Sequence, residues 1–152
     1  MEVTVRALDL ADPSDVDAVV RVQRAAYAVE AELIGSTDIP ALHETAADVA
    51  ASGETVLGRE IDGRLVAAVG YRRSGDELDL CRLVVDPTAF RAGHARALLD
   101  AVDAAEAGVR RTTVSTGRDN EPALRLYRQR GFRLVGEREV APGLWIAELE
   151  RR

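Results

Sequence analysis

Two segments of this 152-residue chain hold residue types that could do chemistry together. The first runs Leu83-Val84-Val85-Asp86-Pro87-Thr88-Ala89-Phe90-Arg91-Ala92-Gly93-His94-Ala95-Arg96. It reads as a buried strand, a turn of small residues and the start of a helix. Such a turn leaves backbone N–H groups unpaired at the positive end of the helix, a setting that suits a phosphate. Gly93, Ala92 and Ala95 let ligand oxygens approach the backbone, Arg91 and Arg96 add charge, and His94 offers a donor. Taken alone, a short glycine turn is explained as well by a simple helix entry. The second segment, Asn120-Glu121-Pro122-Ala123-Leu124-Arg125-Leu126-Tyr127, opens on an N-cap residue and a first-turn proline. It sets Ala123, Leu126 and Tyr127 on one helical face. Tyr127 is either a core aromatic or a phenol shown to a ligand, and a buried hydroxyl needs a partner in both cases.

The elements that must position these residues follow from periodicity. Val3 and Val5, with Leu8 less regularly, suggest an opening strand. Asp12-Pro13-Ser14-Asp15 starts a helix whose Val16, Val19, Val20, Gln23, Ala26, Tyr27 and Glu30 keep helical spacing. Gly35 closes it, residues 36–40 form a loop, and a second helix fits 41–51. Segments 55–61 and 65–71 flank Asp62-Gly63, a strong hairpin signal, and a turn at 74–76 leads into 78–85, giving a three-stranded meander. A helix over 93–107, a strand at 111–115, a helix over 120–130 and strands near 132–140 and 144–149 complete the chain. The expectation is one α/β domain over 1–152, a mixed sheet of about seven strands with four helices. Pro87 and the loop after Val85 suggest that strand pairing ends there. The exposed N–H and C=O groups could then pair with an amide-bearing ligand.

Bulk properties narrow the class. A hydrophobic share of 47% with 30% charged residues is that of a globular protein. No apolar run approaches the roughly 18 residues of a membrane span. The amino terminus lacks the basic-then-apolar order of a signal peptide, and Cys81, a lone cysteine, makes no internal disulfide; the cytoplasm is the default. A net charge of −6 argues against nucleic acid. Residues 1–58 hold three arginines against eleven acids. Between Arg24 and Arg59 only His43 is basic, while Glu30, Glu32, Asp38, Glu44, Asp48 and Glu54 are acidic. That segment is a solvated acidic face, or, if it walls a cleft, an attractor of cationic amines. All twenty Lys and Arg positions are arginine, so no lysine can form a Schiff base or clamp a phosphate. His43 and His94 are too isolated for a metal site, and no metal is expected.

The stretch from Leu83 to Leu99 followed by Asn120 to Phe132 resembles the acetyl-CoA-binding core of GNAT-type N-acetyltransferases. The element order is similar along the whole chain. That family's loop, Gln/Arg-x-x-Gly-x-Gly/Ala, is matched by Phe90-Arg91-Ala92-Gly93-His94-Ala95 at Gly93 and Ala95. It is not matched at Phe90, where Arg91 stands next door to supply the charge. The resemblance implies acetyl-CoA as co-substrate, with pantetheine amides on the backbone around Leu83, Val84 and Val85, and with Asn120 and Tyr127 near the thioester. It further implies direct attack of a primary amine of a small molecule or peptide on the thioester through a ternary complex. Tyr127, a phenol of reference pKa near ~10, would protonate the leaving thiolate.

Counting back along the strand puts Asp79 where some members of that family carry a basic glutamate. A bridging water would be needed, and a solvated strand-edge acid is an equal alternative. By alternation Asp79, Cys81, Leu83 and Val85 share one face, with Arg82 opposite and paired to a glutamate of the first helix. The resemblance places the acceptor pocket against the first two helices, making Tyr27, Glu30 and Glu32 candidates to line it, with the two glutamates also rivals as base. Cys81 has no neighbouring base and reads as a packing residue. The resemblance allows a homodimer. A catalytically silent CoA-binding or sensory module is the alternative function, and a nucleotide-binding α/β protein ranks below it for want of a Gly-rich loop ending in Lys-Ser/Thr.

Overall fold

In the computed structural model, which describes residues 1–34 and 44–152, the Asp62-Gly63 pair does what its residue types predict. Both take positive φ, 50° and 82°, and close a tight hairpin between β2 (Thr55–Ile61) and β3 (Arg64–Ser74). β1 (Val3–Ala7) adds to the outer edge of β2, and β4 (Glu77–Val85) pairs antiparallel with β3. After a short 3-10 turn over Pro87–Ala89 come α3 (His94–Ala105), β5 (Arg111–Gly117), α4 (Glu121–Gln129), β6 (Arg133–Ala141) and β7 (Leu144–Arg151). The sheet has seven strands in the order β1-β2-β3-β4-β5-β7-β6, and only β4 and β5 run parallel. The expected mixed sheet with four helices is the observed one.

Helices cover both faces. α1 (Pro13–Ile34) and α2 (Ala46–Ala50) lie on one side, where Val19, Val22, Val49, Val56 and Val84 form a valine-rich core. On the other side α3 and α4 close a second core with Tyr71, Leu80, Leu98, Val114, Tyr127 and Leu149. The Asp12 carboxylate accepts the Ser14 N–H at 2.9 Å, which caps the first turn of α1. The closure at Gly35, the loop over 36–40 and the first part of the expected second helix lie outside the described residues. Of the remainder, Glu44 and Thr45 are not helical. Thr45 and Asp48 form a capping box, so α2 begins at Ala46 and is shorter than its periodicity suggests.

Two features of β4 prepare the site. Its ladder with β5 runs from Glu77↔Arg111 to Leu80↔Val114 and stops, so Leu83–Val85 have no β5 partner. At the same level Gly70 pairs with Arg82 but Tyr71 with Leu80, which leaves Cys81 as an extra, bulged residue. The bulge resets the alternation. Leu78 and Leu80 before it and Leu83 and Val85 after it all meet the α3–α4 core, which a regular strand would forbid. Asp79 is therefore on the face opposite Leu83 and Val85, and on the same face as Arg82, contrary to the alternation argument.

Candidate active site

A cavity of about 640 Å³ opens where β4 leaves β5. It runs from the turn before α3, along the free length of β4, to α4 and the last turns of α1. Asp86 ties down the entry to the turn. Its carboxylate accepts the Thr88 N–H at 3.0 Å and the Thr88 hydroxyl at 2.8 Å and pairs with Arg21 at 3.3 Å. The Thr88 N–H, with smaller help from the hydroxyl and from Arg21, holds the Asp86 pKa below the usual carboxylate range. Gly93 is the N-cap of α3 at φ 78°, with no side-chain cap and nothing within 4 Å of where a Cβ would stand. Arg91 also holds a left-handed φ of 65°, a conformation that costs energy for a residue with a Cβ. The first turn of α3, from Gly93 to Arg96, lines the cavity.

Most of the expected residues converge here. Leu83, Val84, Val85, Arg91, Gly93, His94, Ala95, Arg96, Asn120, Tyr127, Tyr27 and Glu30 all line the cavity. Val84 sends its side chain into the α1-side core and offers backbone alone. Arg96 is tethered to α4, donating to Gln129 Oε1 at 2.9 Å. Ala92 and Glu32 are exposed and do not line the cavity. Asp79 is also absent from its walls. Its carboxylate accepts the Thr113 hydroxyl at 2.8 Å on the far side of β4, because of the bulge at Cys81. Cys81 is half-buried and its pKa rises to about 11, through burial and then the carboxylates of Glu54 and Asp79, so its thiol stays protonated.

At the α4 end, Asn120 caps its helix, accepting the Ala123 N–H at 3.3 Å. Tyr127 is buried against Phe132, ring edge to face at 5.4 Å, and lines the cavity. Burial, then the nearby Tyr27 and Glu30, push its pKa far above that of a free phenol. The phenol therefore keeps its proton. Glu30 sits across from it, and burial raises its pKa although the Asn120 side chain and the Gly117 N–H both donate toward the carboxylate. The arrangement brings together a phenol that keeps its proton and a carboxylate biased toward taking one.

Sequence reasoning singled out Arg82 beside this cavity but assigned it the wrong partners. Arg82 is buried on the α1–α2 face and pairs with Glu54 at 2.7 Å and Glu44 at 2.7 Å, not with Glu30 or Glu32; it also donates to Gln23 at 2.5 Å. An arginine inside an apolar strand signals that acids must meet it, but nothing local says which. Gly70 makes the room. A Cβ there would overlap Glu54 Oε1 and stand 2.8 Å from Arg82 Cγ. Tyr27 lies next to this cluster and feels Glu30, Arg82, Glu44 and Glu54. The acidic segment is thus only partly a cleft wall: Glu30 faces the cavity, Glu44 and Glu54 hold Arg82, Asp48 caps α2, and Asp38 and His43 lie outside the described residues.

A sheet parted between one parallel pair of strands, with a glycine turn and helix start at the parting, defines an acyl-CoA-dependent acyltransferase fold. The chain belongs to the acetyltransferase (GNAT) family, which it matches over residues 21–132. The chain is similar to UPF0157 protein YqkA of Bacillus subtilis (strain 168), 38% identical over 129 residues, covering 85% of this chain and 38% of the relative. It therefore spans about two fifths of that protein's length. Its fold is similar to the ribosomal-protein-S18-alanine N-acetyltransferase from Escherichia coli, with TM-score 0.79, 19% identity, and coverage of 99% of this chain and 93% of the other. It is similar too to the PaiA N-acetyltransferase from Thermoplasma acidophilum in complex with coenzyme A, with TM-score 0.77, 15% identity, and coverage of 100% and 99%. Among the described residues no helix is long and apolar enough to cross a membrane.

Proposed function

We propose that this domain transfers acetyl from acetyl-CoA to a primary amine by direct attack in a ternary complex, with Tyr127 as acid and Glu30 as base. The observation that carries the reading is the gap between β4 and β5 beyond Leu80, with Gly93 at one end of the cavity and Tyr127 at the other. The free N–H and C=O groups of Leu83–Val85 suit the amides of pantetheine, and the first N–H groups of α3, with Arg91, Arg96 and His94, suit its pyrophosphate. When bound, acetyl-CoA supplies an acyl carbon activated as a thioester. Glu30 takes the proton that an acceptor ammonium must lose before its nitrogen can form the new C–N bond. Tyr127 holds a proton at Oη for the sulfur as the C–S bond breaks. Burial disfavours the ionised form of both, so it favours proton uptake by the Glu30 carboxylate and keeps the Tyr127 phenol protonated until the thiolate develops.

The acceptor we infer is cationic. Glu30 in the cavity and the two carboxylates around the single Arg82 guanidinium give the Tyr27 side an excess of negative charge. Acetyl-CoA turnover against a panel of polyamines, amino acids, aminoglycosides and peptides tests this. Cationic amines are expected to lead the panel. Tyr127→Phe is expected to leave coenzyme A affinity and melting temperature unchanged and to lower kcat on the order of 10²-fold. Binding of acetyl-CoA with no thiol released from any amine, or an undiminished rate for Tyr127→Phe, would remove the reading.

A further inference from the structure

We propose that Arg59 is a positioning residue of the phosphate site, fixing the His94 ring as the tautomer that donates from Nε2 to the cofactor's pyrophosphate. The inference rests on the coenzyme A reading above and extends it to a residue on β2, two strands away from β4 in the sheet. Arg59 Nε donates to His94 Nδ1 at 3.0 Å. A guanidinium has only donors, so the nitrogen it meets must carry a lone pair. The single ring proton is then on Nε2.

The ring is placed to use it. His94 is the first residue of α3, directly after the left-handed Gly93, it is 5% exposed, and it lines the cavity, whereas Arg59 does not. The Arg59 bond takes up Nδ1, and no described residue accepts from Nε2. Burial, and then the Arg59 charge, lower the His94 pKa, so the ring is neutral at physiological pH. A neutral, oriented Nε2–H beside the first N–H groups of a helix suits an oxyanion: it donates without a counter-ion of its own and without a proton to lose. Arg59 also sets a permanent positive charge behind the ring. The pairing has a structural basis, since Arg59 shares the α3-facing side of β2 with Leu57, which packs into the α3–α4 core.

The test uses ring 15N spectra, simplified by there being only two histidines, His43 and His94. Wild-type His94, assigned with His94→Gln, is expected to show one neutral Nε2–H pattern. Arg59→Gln is expected to give a mixed-tautomer ring. The same variant is expected to weaken coenzyme A on the order of tenfold, the scale of one lost hydrogen bond to a charged group, while leaving pantetheine, which has no phosphate, unaffected. Arg59→Lys, which keeps the charge without the Nε geometry, is expected to recover part of the loss. An unaltered ring pattern in Arg59→Gln, unchanged coenzyme A affinity, or equal losses for coenzyme A and pantetheine would each overturn the inference while leaving the acyltransferase reading intact. Failure of the wild type to bind coenzyme A would overturn that reading, and the phosphate role with it.

Discussion

The two faces of β4 solve opposite problems. Toward α3 and α4 the strand presents Leu83 and Val85 over an apolar core, and the polar work is done by backbone: a free strand edge and the start of a helix. Toward α1 and α2 the same strand buries a full charge, Arg82, and must gather Gln23, Glu44 and Glu54 from three separate places to hold it. One Gly70 and one bulged Cys81 mark the changeover. A site made of backbone is cheap to encode locally. A site made of buried charge depends on long-range partners and is stable only when all are present.

Removing the charge should therefore do the most damage. Arg82→Met leaves the Glu54 side chain, 3% exposed, without its guanidinium, and is expected to lower stability by about 3–5 kcal/mol in urea denaturation. Adding Glu54→Leu should restore most of that, because a matched apolar pair removes both desolvated charges. If the double variant is no more stable than Arg82→Met, the cage is not the reason Arg82 matters.

Glu30→Gln reaches the boundary between the two faces. Turnover should fall on the order of 10²-fold while coenzyme A binding stays. Stability should move the other way. Burial raises the Glu30 pKa above its unfolded value near ~4.3, so stability is lost as pH rises from there through the folded pKa and then levels off. The glutamine variant should melt higher than wild type at pH 7, and the gap should close below about pH 4, where both side chains are neutral. A gap that is constant with pH would mean that the carboxylate is not desolvated.

Gly70→Ala tests the junction at smaller scale. The added methyl must displace Glu54 or Arg82, at an expected cost of about 1–3 kcal/mol. In a Glu54→Ala background part of that cost should vanish, since the overlapping carboxylate is gone while the 2.8 Å approach to Arg82 Cγ remains. Equal costs in both backgrounds would trace the effect to β3 itself.

The contrast explains what could be read from residues alone. Gly93, Asn120 and Tyr127 announce themselves through neighbours within a turn or two, and the Asp62-Gly63 hairpin fixes the meander. Asp79 was misplaced because strand alternation says nothing of a bulge that exists only once β3 and β5 are in register with β4. Arg59 and Glu54 lie 35 and 28 residues from the side chains they meet, and no local pattern points across such distances. Thr45 shows the reverse case: the Thr45-x-x-Asp48 spacing of a capping box is a local signal for a later helix start, and the expected helix over 41–51 overlooks it.

The inverse of the Arg82 cage stands at the far end of the sheet, where one glutamate is ringed by three arginines. Glu150 meets Arg111 at 2.7 Å, Arg133 at 3.1 Å and Arg152 at 3.2 Å, and these arginine side chains are 35%, 70% and 69% exposed. Arg111, then Arg152 and Arg133, hold its pKa at about 2. A carboxylate depressed in this way adds stability that is fully present above its unfolded value near ~4.3 and is lost as pH falls toward about 2. The melting-temperature gap between wild type and Glu150→Gln should be widest above pH 5 and should close by about pH 2. It should also shrink in ~1 M salt, where the screening length is only about 3 Å. The Arg82→Met deficit, arising inside the fold, should hardly respond to salt. If both deficits respond alike, the distinction between a charge cluster enclosed in the core and one whose arginines reach solvent does not describe this protein.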